Sequence, residues 1–226
     1  MPVLSDLEPR EVFAWFERLC AIPHGSHHTK AISDYLVAFA RERGLACRQD
    51  AANNVVIRKA ASAGYENAPV VMLQGHIDMV CEKDADCGKD METEGLDLFV
   101  DGDVIGARGT TLGGDDGIAV AMALAVLDAD DIPHGPLECV FTADEEVGMI
   151  GARALDASDL KAKYLINIDS EDEGVLTVSC AGACRTLCTL PVTRAPFDGQ
   201  TLRVKISGLA GGHSGEEIHK GRANAN

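Results

Sequence analysis

The sequence predicts an α/β fold, with a mostly parallel mixed sheet flanked by helices. Three observations carry that expectation. Short runs of apolar and β-branched residues, "NNVVIRK", "PVVMLQ", "LECVFT" and "YLINI", recur between residues 53 and 168. Helical stretches separate them, and strands alternating with helices read as a parallel sheet covered on its faces. One of those helices, "GIAVAMALAVLDA" (117–129), is apolar on nearly every side and therefore has to be buried.

The elements follow in order. "SDLEPREVFAWFERLC" (5–20) reads as a first helix, with Pro9 in its opening turn and Val12, Phe13, Trp15, Phe16 and Leu19 on its apolar side. "IPHGSHH" breaks it. Ser26 is placed to N-cap a second helix over "HHTKAISDYLVAFARERG", which Gly44 ends. His24, His27 and His28 crowd this turn and are read as solvated loop and first-turn residues rather than metal ligands. After two strands comes an acidic excursion (82–104), then the apolar helix, the strand "LECVFT" and a short helix within "GMIGARALDAS". "YLINI" is expected to be a third core strand.

From residue 183 the texture changes. "CRTLCTLPVTRAPFDGQTLRVKISGLAGG" alternates apolar and polar residues between turn signals, which predicts two antiparallel strands of a separate, smaller unit. "EEIHKGRANAN" then reads as a helix start, and the chain stops there, as an incomplete polypeptide would. The expected domains are 1–182 and 183–226.

Composition narrows the function. Apolar residues make up 46% of the 226, enough for a sizeable core. No apolar run approaches the ~20 residues that span a bilayer. "MPVLSDLEPREVF" lacks the basic start and apolar centre of a secretory signal, so a cytoplasmic setting is expected. A net charge of −16 argues against nucleic acid and anionic membranes as partners, but not against cations. The eight cysteines include no C-x-x-C pair and read as free thiols. Cys180, Cys184 and Cys188 recur every four residues, but in a strand-like stretch that makes a poor thiolate zinc site.

The polar residues that interrupt the core strands are the chemical signal. His76 and Asp78 follow "VVMLQG"; two apart in extended chain, they share one face. Such a pair is either a ligand with its orienting carboxylate or a polar strand end facing water. Glu145 and Glu146 follow "LECVFTAD", and Asp169 follows "YLINI". Asp115 and Asp116 stand at the mouth of the apolar helix. Singly, each has a bland explanation, since acids are common after strands and favoured at helix N-termini. Together they occupy the carboxyl ends of several strands of one sheet, where open parallel sheets carry their sites. The glycines of "GARGTTLGGDDG" do not make a phosphate loop, because no Lys follows and two carboxylates would repel phosphate. His and carboxylates without thiolate suit zinc, manganese or cobalt in a hydrolytic site. In extended chain Glu145 and Glu146 point opposite ways, so one can bind metal while the other serves as general base toward the attacking water.

Five motifs, "GHIDMV", "GARGTTLGGDDGIAVAMALAVL", "TADEEVGMIGA", "NIDSEDEG" and "GLAGGHSGEEIHKGRANA", resemble those of the M20 metallopeptidases, in the branch of the aminoacyl-histidine dipeptidases. The resemblance implies a zinc-exopeptidase-like catalytic domain and the beginning of an α+β lid domain. It implies two divalent metal ions, zinc first and cobalt or manganese as the other candidates. His76 and Asp169 would hold one, Glu146 the other, and Asp115 would bridge them. Asp78 would orient His76, Glu145 would be the general base, and His213 would stabilise the oxyanion. His219 and Asn224 have a weaker claim. A late His that completes the second metal site in the family would lie beyond Asn226, leaving that metal only Asp115 and Glu146. The implied substrate is a dipeptide, of Xaa-His type or broader, and the implied assembly is a homodimer through the lid. An N-acyl amino acid amidohydrolase of the same fold and a catalytically incompetent fragment are the competing readings. The Asp115–Asp116 peptide bond, flanked by Gly113, Gly114 and Gly117, is expected to be cis, as in that family.

Overall fold

The computed structural model describes residues 2–170, 173–180, 182, 186–210 and 218–222. The chain forms two compact units, Met1–Thr177 and Val178–Asn226.

The first unit opens with two helices, α1 (Arg10–Cys20) and α2 (Lys30–Glu42). Helical spacing puts Trp15, Phe16, Leu19 and Cys20 on the buried side of α1, and Ile32, Leu36, Val37, Phe39 and Ala40 on that of α2. Trp15 and Phe39 meet edge to face, with ring centroids 5.0 Å apart, and join the two helices. Gly44, at φ +64°, ends α2 as expected. Ser26 does not cap α2, which starts after Thr29 without a side-chain cap. The loop before it is drawn away to Met79, whose N–H donates to the His24 carbonyl and whose carbonyl accepts from the Ser26 N–H, both at 3.2 Å.

The main sheet contains β1 (Ala46–Gln49), β2 (Val55–Lys59), β3 (Val71–His76), β6 (Leu137–Thr142) and β7 (Tyr164–Asn167), in the order β1-β2-β6-β3-β7. β2 is antiparallel to both its neighbours, while β3 is parallel to β6 and to β7. Four of the five strands therefore run the same way, and the fold is the mostly parallel mixed sheet flanked by helices that the sequence predicts. β1 has no β-branched residue and gives no strand signal; its pairing with β2 makes it a strand. The acidic excursion ends in a hairpin, β4 (Leu98–Asp101) and β5 (Val104–Ala107), closed by Gly102 and Asp103.

α3 (Gly114–Asp128) is buried along Ala119, Val120, Ala121, Ala123, Leu124 and Leu127. It needs apolar residues on more than one side because it packs against both α1 and β3. The contact with β3 is close: a Cβ on Gly75 would lie 2.8 Å from that of Ala119. β6 is buried at every residue, and the short α4 (Ile150–Ala154) follows it.

Two further regions differ from what the sequence predicts. β7 is an edge strand and not a core strand, with Tyr164, Leu165 and Ile166 between 50% and 60% exposed. It pairs with β3 on one side, and no strand pairs with its other side among the described residues. In the second unit, residues 186–210 form no strands, and the described part of the expected terminal helix is a 3-10 turn at Ile218–Lys220. A lone two-stranded ribbon is marginal in water, and with Leu187 at 89% and Phe197 at 78% exposure these apolar side chains are not covered among the described residues.

Asn54 ties the turn after β6 to the start of β2. Its Oδ1 accepts the Ala143 N–H at 3.0 Å, and its Nδ2 donates to the Gly151 carbonyl at 2.9 Å and to Asp50 Oδ2 at 2.7 Å. Asn54→Ala orphans the buried Ala143 N–H, which is expected to cost about 1–3 kcal/mol. Urea denaturation checks this, and an unchanged midpoint would show that the turn holds itself.

Candidate metal centre

β6, β3 and β7 are neighbours in the sheet, so the residues that follow them converge. His76 closes β3, and its ring is buried. The parallel ladder runs one step past it through the Ile77 N–H, which donates to the Thr142 carbonyl at 2.8 Å. That step brings Asp78 under the ring. Nδ1 of His76 donates to the Asp78 carbonyl at 2.9 Å and lies 3.4 Å from Asp78 Oδ1. Nε2 faces Asp115 Oδ1 at 2.9 Å.

Asp78 is buried and gathers donors from three segments. Oδ1 accepts the Glu145 N–H at 2.9 Å; Oδ2 accepts the Ser26 hydroxyl at 2.8 Å and the Glu146 N–H at 3.4 Å. Burial alone would raise its pKa, but the bonds from His76, Glu145 and Ser26 outweigh burial and hold the carboxyl below its ordinary value.

The Asp115–Asp116 peptide bond is cis, as expected. Asp115 leans outward, its side chain 58% exposed, while Asp116 is buried and its Oδ2 accepts the His76 N–H at 3.1 Å. Burial and the nearby Asp169 charge push Asp116 up to about 8 against the pull of His76. Asp169 rises to about 6, chiefly by burial and then by the charges of Asp115 and Glu145, with His76 opposing. Glu146 is also raised, by burial and then by Asp115. For His76 burial works downward, but the bond to Asp78, the Asp116 charge and the remaining acids push it up to about 10.

The structure thus brings together His76, Asp115, Glu145, Glu146 and Asp169. Ligand-capable atoms of His76, Glu145 and Glu146 lie within 4.8 Å of one another, as do those of His76, Asp116 and Asp169. Glu145 and Glu146 do not point opposite ways. The Glu145 carbonyl accepts the N–H groups of Gly148 and Met149, both at 2.8 Å, so the pair sits in a turn and both carboxylates reach toward His76. Asp116 and Ser26 join the site from outside the expected set. Asp116 was visible as the second acid of its pair, whereas nothing in the sequence points Ser26 at Asp78. His24 is buried rather than solvated, its Nδ1 2.5 Å from the Ile22 carbonyl, and burial lowers its pKa. His27 and His28 are exposed as expected. His219 lies in the 3-10 turn of the second unit, and His213 and Asn224 lie outside the described residues.

Residues 72–217, which contain all the acids of this centre, match the family model described as Peptidase family M20/M25/M40. The chain belongs to that family. It is 43% identical to the cytosol non-specific dipeptidase of Escherichia coli K12 over its whole length, and it spans 47% of that relative's length. A solved structure of the aminoacylhistidine dipeptidase from Vibrio alginolyticus superposes with a TM-score of 0.74 at 45% identity, covering 76% of this chain and 35% of the other. A tripeptidase from Staphylococcus aureus superposes with a TM-score of 0.61 at 26% identity, covering 74% and 44%.

The residues of this M20 chain fit a divalent metal. The donors are one imidazole and several carboxylates, a set suited to zinc, manganese or cobalt. Three of the acids have raised pKa values, first through burial and then because they crowd one another, and a bound cation favours their charged forms. Asp115 lines two recesses, of about 210 and 250 Å³, reached by Asp169 on one side and Glu146 on the other.

The raised His76 pKa makes a stability prediction for the metal-free M20 chain. The unfolded chain releases this proton near 6.5, and the folded chain holds it to about 10. The stabilisation is therefore complete below 6.5 and drains away as pH rises toward 10. The urea midpoint is expected to fall between pH 7 and pH 9, and to fall less in a His76→Asn variant. The same pH dependence in both proteins would remove His76 as its source.

Proposed function

We propose that this chain carries the metal-activated hydrolytic centre of a dipeptidase, acting on dipeptides with Xaa-His among them. The observation that carries the proposal is the convergence of His76, Asp115, Glu145, Glu146 and Asp169 at the ends of three adjacent strands and one helix mouth. The dipeptidase names of the relatives from E. coli and V. alginolyticus support the substrate class. The E. coli relative's cytosolic name and the seven free cysteines described support a cytoplasmic setting. Residues 183–226 take the role of lid and homodimer contact, on the family resemblance alone.

His76, Asp115, Glu146 and Asp169 would hold two divalent cations, zinc first among them. When bound, these supply Lewis acidity, which lowers the pKa of water and polarises a carbonyl. The chain's own groups do the rest. Because His76 Nδ1 donates to the Asp78 carbonyl, Nε2 is the ring's ligand atom. The N–H of Glu145 is held by Asp78, so its carboxylate starts from a fixed backbone. It takes one proton from water as the oxygen attacks the peptide carbonyl. It then gives that proton to the departing amine as the C–N bond breaks. His213 is assigned the oxyanion on resemblance alone.

Glu145→Gln is expected to keep the bound metal and lower dipeptide turnover by about 10²–10⁴-fold. Metal content and hydrolysis of a dipeptide panel, with zinc, cobalt or manganese supplied, check this. Parallel loss of metal and turnover would make Glu145 a ligand. Turnover of N-acetyl amino acids in place of dipeptides would shift the substrate class, and bound metal with neither activity would make this chain non-catalytic by itself.

A further inference from the structure

The hydroxyl of Ser26 has no part in the chemistry above, and the backbone around it does not need it. Gly25 and Met79 form a parallel bridge, and the Ser26 N–H donates to the Met79 carbonyl at 3.2 Å. The approach is tight, for a Cβ on Gly25 would lie 2.6 Å from Cys81 Sγ. On the other side the His27 N–H donates to Asp144 Oδ1 at 2.6 Å. The loop is thus tied by main-chain donors both to the segment after β3 and to the turn that bears Glu145 and Glu146.

The hydroxyl itself is spent on Asp78. It donates to Oδ2 at 2.8 Å, and the other donor to that oxygen, the Glu146 N–H, stands off at 3.4 Å. Oδ1 meanwhile faces the Glu145 N–H at 2.9 Å and His76 Nδ1 at 3.4 Å. A carboxylate with one short, charge-assisted bond on each oxygen has its plane fixed. Without the hydroxyl, Oδ2 keeps only the long bond. The carboxylate is then free to turn, and it loses its alignment both with the imidazole and with the two amides.

We infer that Ser26 is a positioning residue. Its hydroxyl clamps the Asp78 carboxylate, and through it sets the backbone of Glu145 and Glu146 and steadies the His76 ring, whose Nδ1 is also held by the Asp78 carbonyl at 2.9 Å. The effect on His76 as a ligand rests on the proposed metal centre; the effect on the two amides rests on geometry alone.

The test uses this chain with Ser26→Ala, Ser26→Thr and, to keep an atom in the hydroxyl's place, Ser26→Cys. In the metal-free protein, hydrogen exchange at the Glu145 and Glu146 amides is expected to quicken about tenfold in Ser26→Ala. Exchange in β3 and β6 stays unchanged, and Ser26→Thr restores protection. With cobalt as probe, affinity is expected to fall about tenfold in Ser26→Ala, the low end of losses seen when a group that orients a ligand is removed. Ser26→Thr again recovers it. If Ser26→Ala does not fold, Ser26→Cys is expected to show the same two changes, since a thiol is a weak donor. Unchanged amide exchange in the alanine and cysteine variants overturns the inference, as does a loss that Ser26→Thr fails to rescue. Absence of cobalt binding by the unaltered chain, with the amide effect present, supports Ser26 as a positioning residue and sinks the metal centre instead.

Discussion

The site depends on one buried carboxylate. Asp78 accepts the Glu145 N–H, the Glu146 N–H and the Ser26 hydroxyl and lies against His76 Nδ1. These groups come from the turn after β6, the loop before α2 and the end of β3. Burying an unpaired carboxylate is costly, so the fold supplies donors from every side, and in doing so it brings those segments to one point. Two backbone features and one side chain serve the same convergence: the ladder bond from Ile77 to Thr142, the bridge from Gly25 to Met79, and the Asn54 amide clamped on Ala143.

A second constraint runs against the first. Asp115, Asp116, Glu146 and Asp169 are carboxylates facing a single imidazole, and three of them are raised by burial and by one another. A fold optimised for stability alone would not assemble such a group. The apolar packing of α3 on α1 and β3 holds Asp115 and Asp116 at the helix mouth despite their repulsion, and Asp116 Oδ2 takes up the space that a side chain on Gly75 would fill. Like charges held together by packing are a standing demand for a cation.

Much of this was legible in the chain. The strands β2, β3, β6 and β7 announce themselves as β-branched or apolar runs, and α3 by being apolar all round. His76, Asp115, Glu145, Glu146 and Asp169 are visible because each breaks an apolar element at its end, where a buried strand has no other reason to carry charge. β1 was silent because an edge strand of Ala, Cys, Arg and Gln takes its conformation from its partner. The burial of His24 was silent because a bridge formed across more than fifty residues of sequence decides it. In the second unit, alternation alone did not suffice among the described residues, since a strand needs a ladder and a covered face as well as a pattern.

The sequence by itself determined the fold class, the identity of most acids in the centre, and the family to which the five motifs belong. Those are properties of local pattern: periodicity, the polarity of element ends, and residue types at fixed spacing. Only the tertiary structure decided that β6, β3 and β7 are neighbours, that Asp116 enters the centre, that Glu145 and Glu146 turn toward the same imidazole, and that Ser26 leaves the helix start to bond Asp78. The physical reason is that a buried polar group is satisfied in space and not along the chain. Its partner is whichever donor the packing brings within about 3 Å, and packing depends on contacts that no single segment contains.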